Sequence, residues 1–168
     1  MIRLLTRNIV RFLVLVALQV LVLNNIQLSG YINPYFYILF ILLMPFETPP
    51  WVGTVIGFLL GLSIDMFANT PGLHAASTAF IGFVRPYFLR YISPRDGYEP
   101  GSFPRVFYYG FNWFLKYTLL LVFVHHLILF FLEAFSFASF GHVIMRIIFS
   151  TLFSVSLIMM SQYLVFRK

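Results

Sequence analysis

The most constraining feature of this sequence is a series of six long apolar stretches separated by short polar connections. The stretches cover residues 9–28, 31–46, 51–69, 72–92, 111–134 and 142–166. A helix that crosses the hydrocarbon core of a bilayer needs about 20 mostly apolar residues, and all but the second stretch are about that long. Local thinning of the bilayer would accommodate a short second helix, and the alternative is a re-entrant segment. The pattern predicts an all-α integral membrane protein with six transmembrane helices.

The composition supports the same class of protein. Hydrophobic residues make up 61% of the 168 residues, and only 10% are charged. A soluble domain has about 45–50% apolar and about 25% charged residues. Because a chain of this size buries only a limited share of its surface, the excess apolar surface is expected to face lipid. We therefore expect a single transmembrane domain over residues 1–168, with its longest connection at 93–110.

Basic residues lie at alternate connections. With the N-terminus in the cytoplasm, six spans place on the cytoplasmic side Arg3, Arg7, Arg11, Arg90, Arg95, Arg105, Arg167 and Lys168. The connections at 25–33, 70–71 and 136–141 contain no Lys or Arg. This asymmetry follows the positive-inside rule and predicts a cytoplasmic-membrane protein with both termini and the 93–110 loop in the cytoplasm. Since the charges flank apolar runs, the net charge of +6 does not indicate a nucleic-acid partner.

Small residues recur at helical spacing in the third and fourth stretches. The third has Gly53, Gly57, Gly61 and then Asp65, and the fourth has Gly72, Ala76, Ala79 and Gly82. Such stripes let two helices approach closely. They predict either a tight hairpin between these two helices, which we favour, or a groove that binds a partner helix.

Two charged residues, Asp65 and Arg85, fall inside predicted helices. A charge within the bilayer is costly, so both side chains are expected to face protein or water. A rise of about 1.5 Å per residue places them roughly 10 Å apart in depth. A direct ion pair would therefore need a kink at Pro86 or a bridging water, and the alternative is that Arg85 extends toward the cytoplasm.

The last two stretches carry a second polar group, formed by His126, Glu133, His142 and Arg146. His126 and Glu133 share one helix face, and His142 and Arg146 share another. The short turn between the two helices predicts a Glu133–Arg146 ion pair. We favour a structural role for this pair, and the alternative is a proton or ligand site. With Asp65 and His74, these groups would form an outward-facing polar pocket, which is a common ligand-site pattern.

Catalytic signatures are missing from the sequence. There is no cysteine, no H-E-x-x-H, no P-loop, no G-x-G-x-x-G and no G-x-S-x-G. His125 and His126 are adjacent, so they point about 100° apart on a helix and cannot both face one metal ion. We expect no enzymatic activity, no catalytic or metal-binding residue and no cofactor.

Residues 57–88 resemble the MreD family of rod shape-determining proteins. Their sequence is GFLLGLSIDMFANTPGLHAASTAFIGFVRPYF. In that family a Gly-rich helix ends in G-x-x-x-D, and G-x-H or G-x-x-A opens the next helix after a short turn. The matching residues here are Gly61, Asp65, Gly72, His74 and Ala75. Chain length, six spans and a basic N-terminus also fit, and the aromatic richness is similar to that of the Bacteroidetes members.

The resemblance implies a non-catalytic scaffold of the bacterial cell-elongation complex, which maintains cell shape. Its partners would be MreC and, directly or indirectly, the glycosyltransferase RodA, a class B penicillin-binding transpeptidase and MreB. The implied fold is similar to that of the substrate-binding subunits of energy-coupling-factor transporters, in which six helices enclose an outward-facing pocket. The alternative function is binding or transport of a small molecule or lipid intermediate. The residues expected to serve helix packing or partner binding are Gly53, Gly57, Gly61, Asp65, Gly72, His74, Ala76 and Arg85.

Overall fold

The structure, a computed structural model, describes residues 2–26, 32–99, 101–134 and 140–164, with side chains of the first helix from Thr6 onward. This part of the chain forms six α-helices. They are α1 (Ile2–Leu21), α2 (Leu39–Leu42), α3 (Pro50–Ala68), α4 (Leu73–Tyr91), α5 (Val106–Ala134) and α6 (Phe140–Leu164). A 3₁₀ turn at Leu23–Asn25 follows α1. The prediction of an all-α protein is confirmed.

Four helical segments in the described residues are long and apolar enough to cross a membrane. They are Thr6–Asn25, Pro50–Ala68, Val106–Ala134 and Phe140–Leu164. The protein is therefore embedded in a membrane. The bounds predicted for α3, α4 and α6 agree with the structure within a few residues. The predicted ends at residues 27–28 and 165–166 lie outside the described residues.

The prediction of a membrane-spanning helix at 31–46 is wrong. Tyr31 lies outside the described residues, and in the remainder only Leu39–Leu42 form an α-helix, one turn long. Pro34 and Pro45 bound the stretch, and proline has no backbone N–H and disfavours helix at the residue before it. We call residues 32–46 the central segment.

Side chains of other helices replace the backbone hydrogen bonds that a helix would have formed in the central segment. The N–H of Asn33 donates to Ser150 Oγ (3.0 Å) and that of Tyr35 to Ser154 Oγ (2.9 Å). The N–H of Phe36 donates to Oε1 of Gln19 (2.8 Å). Irregular backbone is tolerated at membrane depth where protein surrounds it.

The central segment forms the middle of the core. Tyr37, Ile38, Ile41 and Leu42 are fully buried, so their apolar character reflects burial in protein. The six predicted transmembrane helices are thus reduced to four that meet the length and hydropathy requirement, with α4 and the central segment packed among them. α4 is long enough, but buried polar residues interrupt its apolar run: His74, Ser77, Thr78 and Arg85.

α3 and α4 form a tight antiparallel hairpin. A Cβ on Gly53 would lie 2.4 Å from the carbonyl oxygen of Gly82, and one on Gly61 would lie 2.3 Å from that of His74. The glycine stripe of α3 is therefore covered by α4, as the favoured interpretation predicted. On α4 the small residues that meet it are Ala75, Ala79 and Gly82. Ala76, which the sequence placed in this stripe, is exposed.

Residues 92–99 and 101–105 pack against the end of the bundle where α4 ends and α5 begins, which we call the loop end. The Tyr98 ring stacks on Phe46 with centroids 4.1 Å apart, and its hydroxyl donates to the carbonyl of Leu89 at 2.6 Å. Burial raises the pKa of Tyr98 to about 12. Gly110, with a φ of 80°, interrupts α5, close to the predicted helix start at residue 111.

Candidate functional site

Asp65, near the end of α3, holds the first turn of α4. Its carboxylate accepts the backbone N–H groups of His74 (3.1 Å) and Ala75 (2.8 Å). It also bonds Nδ1 of His74 at 3.0 Å and accepts the Thr70 hydroxyl. A carboxylate at a helix N-terminus satisfies unpaired N–H groups and complements the helix dipole. The motif residues Asp65 and His74 therefore lock the α3–α4 turn.

The turn itself needs left-handed backbone at two positions. α3 ends at Asn69, with a φ of 53°, and Gly72, with a φ of 82°, precedes α4. Asn and Gly are the residues that adopt this region most readily. Gly72 thus serves the turn, and Gly57 and Gly61 serve the packing of the hairpin that follows from it.

Arg85 does not pair with Asp65. Its guanidinium donates to the carbonyls of Met44 and Pro45, the latter at 3.1 Å, and its Nε donates to the Tyr117 hydroxyl at 2.7 Å. Arg85 is 1% exposed. Pro86 does not bring Arg85 to Asp65, and the Arg85 side chain does not extend to the surface. Both expectations from the sequence are therefore wrong. Arg85 instead fastens the end of the central segment to α4 and α5.

Glu133 and Arg146 form the predicted pair across the α5–α6 hairpin. Nη2 of Arg146 lies 3.0 and 3.2 Å from the two carboxylate oxygens of Glu133. The guanidinium also lies over the Phe130 ring, 4.4 Å from its centroid. The side-chain amide of Asn33 is oriented so that its nitrogen donates to the carbonyl of Ile32 at 3.3 Å. Its oxygen then accepts a further bond from Nη2 of Arg146 at 3.0 Å. Arg146 therefore joins α5, α6 and the central segment.

A cavity of about 370 Å³ lies beside this pair, at the end of the bundle where α3 ends and α4 begins. We call it the polar cavity. Its described lining consists of Val20, Leu23, Asn24, Asn25, Asn33, Pro34, Tyr35, Phe67, Ala68, Thr70, Leu73, His74, Leu129, Glu133 and Arg146. A volume of this size falls in the range of small-molecule sites.

The structure brings together only part of the polar group that the sequence suggested. His74, Glu133 and Arg146 line the polar cavity, and Asp65 lies behind His74. His126 is fully buried, and its Nδ1 bonds the Thr151 hydroxyl at 3.0 Å. His142 is exposed and does not line the cavity.

The floor of the polar cavity is Tyr35, which sequence reasoning missed. Its ring contacts those of His74 and His126, each with centroids 5.4 Å apart, and of His125 at 6.1 Å. Below it, the Tyr37 hydroxyl bonds Nε2 of His125 at 2.8 Å. Tyr35 thus separates the polar cavity from two buried histidines.

Other lining residues were missed as well, chiefly Asn24, Asn25, Asn33 and Thr70. They looked like ordinary connection residues because polar side chains are common between spans. Gln19, inside the first apolar stretch, was a usable signal, since a buried amide there needs partners. Its Nε2 donates to Asn24 Oδ1 (2.9 Å) and to the Pro34 carbonyl (2.8 Å), which ties α1 to the central segment beside the cavity.

Within the described residues, no group of three or more His, Asp or Glu side chains is arranged to hold a metal ion.

The fold and the site define a membrane-embedded helical protein with a polar cavity at one end. Comparisons with protein-family models, curated proteins and solved structures find no match to this chain.

Proposed function

We propose that this chain is a non-catalytic membrane scaffold of the bacterial cell-elongation complex, held in the cytoplasmic membrane with both termini in the cytoplasm. One observation supports the proposal. The five residues that carry the resemblance to MreD lie at the α3–α4 turn or in the helix crossing beside it: Gly61, Asp65, Gly72, His74 and Ala75. Their contacts are structural: a close helix crossing, a left-handed turn position and a carboxylate cap.

A rigid α3–α4 hairpin suits a protein that acts by binding others. Large apolar side chains remain exposed on its outer faces, among them Phe58 and Met66 on α3 and Phe83 and Tyr87 on α4. In a membrane such faces contact lipid or the helices of a partner, and close-packed hairpins hold these faces in a fixed arrangement. In this proposal MreC is the direct partner, and RodA, the transpeptidase and MreB are reached through it or beside it.

Co-purification tests the scaffold proposal. Tagged full-length chain is extracted in mild detergent from cells that also express the MreC protein of the same organism. We expect the wild-type chain to retain MreC, and Asp65→Ala and Gly61→Ala to retain less of it at equal amounts of chain. The matched controls Asp96→Ala and Gly141→Ala change an exposed carboxylate and an uncrowded glycine. Failure of the wild-type chain to retain MreC would contradict the proposal.

A second candidate function is binding of a small polar molecule, as part of a transport or sensing subunit. It is favoured by the polar cavity, where an ion pair and several amide groups converge within about 370 Å³. Both functions can coexist in one protein, because the exposed apolar side chains offered to a partner, Phe58, Met66, Phe83 and Tyr87, do not line the polar cavity. Binding is measured on the isolated chain and scaffolding on the complex, so each can fail alone.

A further inference from the structure

The charges that line the polar cavity are one anion and one cation, side by side. Glu133 and Arg146 lie 3.0 Å apart on the same wall. Of the other charged neighbours, Asp65 is occupied by the first turn of α4 and by His74. A ligand with a net charge would leave that charge uncompensated in a partly dehydrated site, which is costly. The wall therefore favours a ligand that is neutral overall and carries both signs.

Both members of the pair retain capacity for a ligand. The Glu133 side chain is 40% exposed, against 16% for Arg146, so its carboxylate is accessible from the cavity. Arg146 also lines the cavity, although its Nε is buried and out of reach of a ligand there. A carboxylate that accepts from the guanidinium of Arg146 while an ammonium group donates to Glu133 would contact both members of the pair.

The rest of the lining suits a small polar molecule with a side chain. Asn24, Asn25 and Asn33 supply amide groups, and the Tyr35 ring and Leu129 supply apolar surface. Amides offer both donors and acceptors and add no charge. The volume exceeds that of a single charged head group, so a side chain of moderate size fits beside the ion pair.

We propose that the polar cavity binds a free α-amino acid as its zwitterion, with the carboxylate on Arg146 and the ammonium group on Glu133. In an α-amino acid the ammonium and carboxylate groups are attached to the same carbon atom. Two opposite charges that are so close together match two oppositely charged side chains that are already in contact. The amide groups then contact a polar side chain. This inference rests on the second candidate function, binding of a small polar molecule, and not on the scaffold function.

The test uses purified full-length chain in detergent and isothermal titration with four probes. L-glutamine is the zwitterion, N-acetyl-L-glutamine lacks the ammonium group, L-glutaminamide lacks the carboxylate, and glucose is uncharged. We expect saturable binding of L-glutamine and binding at least about tenfold weaker for each of the other three, because each lost charge-assisted bond removes about 1.4 kcal/mol or more. This series is run on the wild-type chain and does not depend on any variant folding.

Two variants assign the contacts. Glu133→Gln is expected to weaken L-glutamine to the level of N-acetyl-L-glutamine, without further weakening N-acetyl-L-glutamine itself. Arg146→Gln is expected to do the same relative to L-glutaminamide. A purely structural role of the ion pair would instead weaken all probes alike, and that result would overturn the assignment.

The negative outcomes separate the two levels of the proposal. Binding of glucose or of either single-charge analogue as tightly as L-glutamine would overturn the zwitterion inference and leave the binding function in place. Absence of binding by all four probes would overturn the inference and count against the binding function. The scaffold function is judged by recovery of MreC and is unaffected by either result.

Discussion

The Asp65 carboxylate accepts the backbone N–H of Ala75 at 2.8 Å, so a side chain of α3 caps the first turn of α4. The same carboxylate is only 3% exposed and also bonds His74. A charge inside a membrane protein is tolerated where donors surround it. The cap therefore explains why an acidic residue stands in an apolar helix, and it joins α3 and α4 where their glycine crossing begins.

Removing this cap should destabilise the hairpin. Asp65→Ala leaves the N–H groups of His74 and Ala75 buried without an acceptor. We expect a loss of at least about 2 kcal/mol in the free energy of unfolding, since each unsatisfied buried group costs about 1–3 kcal/mol. Unfolding in detergent, followed by tryptophan fluorescence, measures the loss. Asp96→Ala, in the exposed loop, serves as control, and equal stability of the two variants would contradict the capping role.

A methyl group added at the helix crossing should also destabilise the protein. In Gly61→Ala the new Cβ would lie 2.3 Å from the carbonyl oxygen of His74, so the two helices must separate. Overpacking of this kind costs about 1–3 kcal/mol. Gly141→Ala is the matched control because nothing lies within 4 Å of its added Cβ, and Ala is the better helix former. Thermal unfolding of the two variants should shift in opposite directions, and a common shift would argue against the crossing.

Arg85 is expected to be essential for packing of the central segment. Arg85→Met would leave the Met44 carbonyl and the Tyr117 hydroxyl without the donor that Arg85 supplies, at a cost of about 2 kcal/mol or more. The Pro45 carbonyl would keep the Thr48 hydroxyl as a donor. Arg85→Lys should be intermediate, because one ammonium group cannot reproduce the planar guanidinium contacts. Limited proteolysis of the detergent-solubilised protein should detect release of the segment. The exposed Arg90 provides the control substitution Arg90→Met, whose digestion pattern should match the wild type.

The Glu133–Arg146 pair is expected to add little stability. With Glu133 40% exposed, solvent screens the attraction, and exposed pairs contribute about 0–1 kcal/mol. A double-mutant cycle with Glu133→Gln and Arg146→Gln, read by thermal unfolding, measures the coupling. A coupling energy well above this range would show that the pair locks the hairpin, as the sequence interpretation favoured.

Orientation in the membrane can be read by cysteine labelling, because the native chain contains no cysteine. Asn25→Cys and Asp96→Cys place single thiols at exposed positions near opposite ends of the bundle. In intact cells a membrane-impermeant maleimide should label the first and not the second, and permeabilised cells should label both. Labelling of Asp96→Cys in intact cells would reverse the proposed topology.

The environment of the central segment could not be predicted from the sequence. An apolar run of this length has the same hydropathy whether lipid or protein surrounds it. Hydropathy indicates that the run needs an apolar environment, but it does not distinguish lipid from the protein core. Two prolines hinted at a broken helix, yet the acceptors for its freed N–H groups, Ser150 and Ser154, lie more than a hundred residues away. Sequence spacing cannot supply such partners.

By itself the sequence determined that the protein is helical and membrane-embedded, where its long helices lie, and that α3 and α4 meet along glycines. These properties depend on local composition and on periodicity within single helices. Only the tertiary structure decided that Asp65 caps α4, that Arg85 holds the central segment, and that amides from three separate regions line one cavity with Glu133 and Arg146. Those relationships join residues far apart in the chain, and they exist only once the helices have packed.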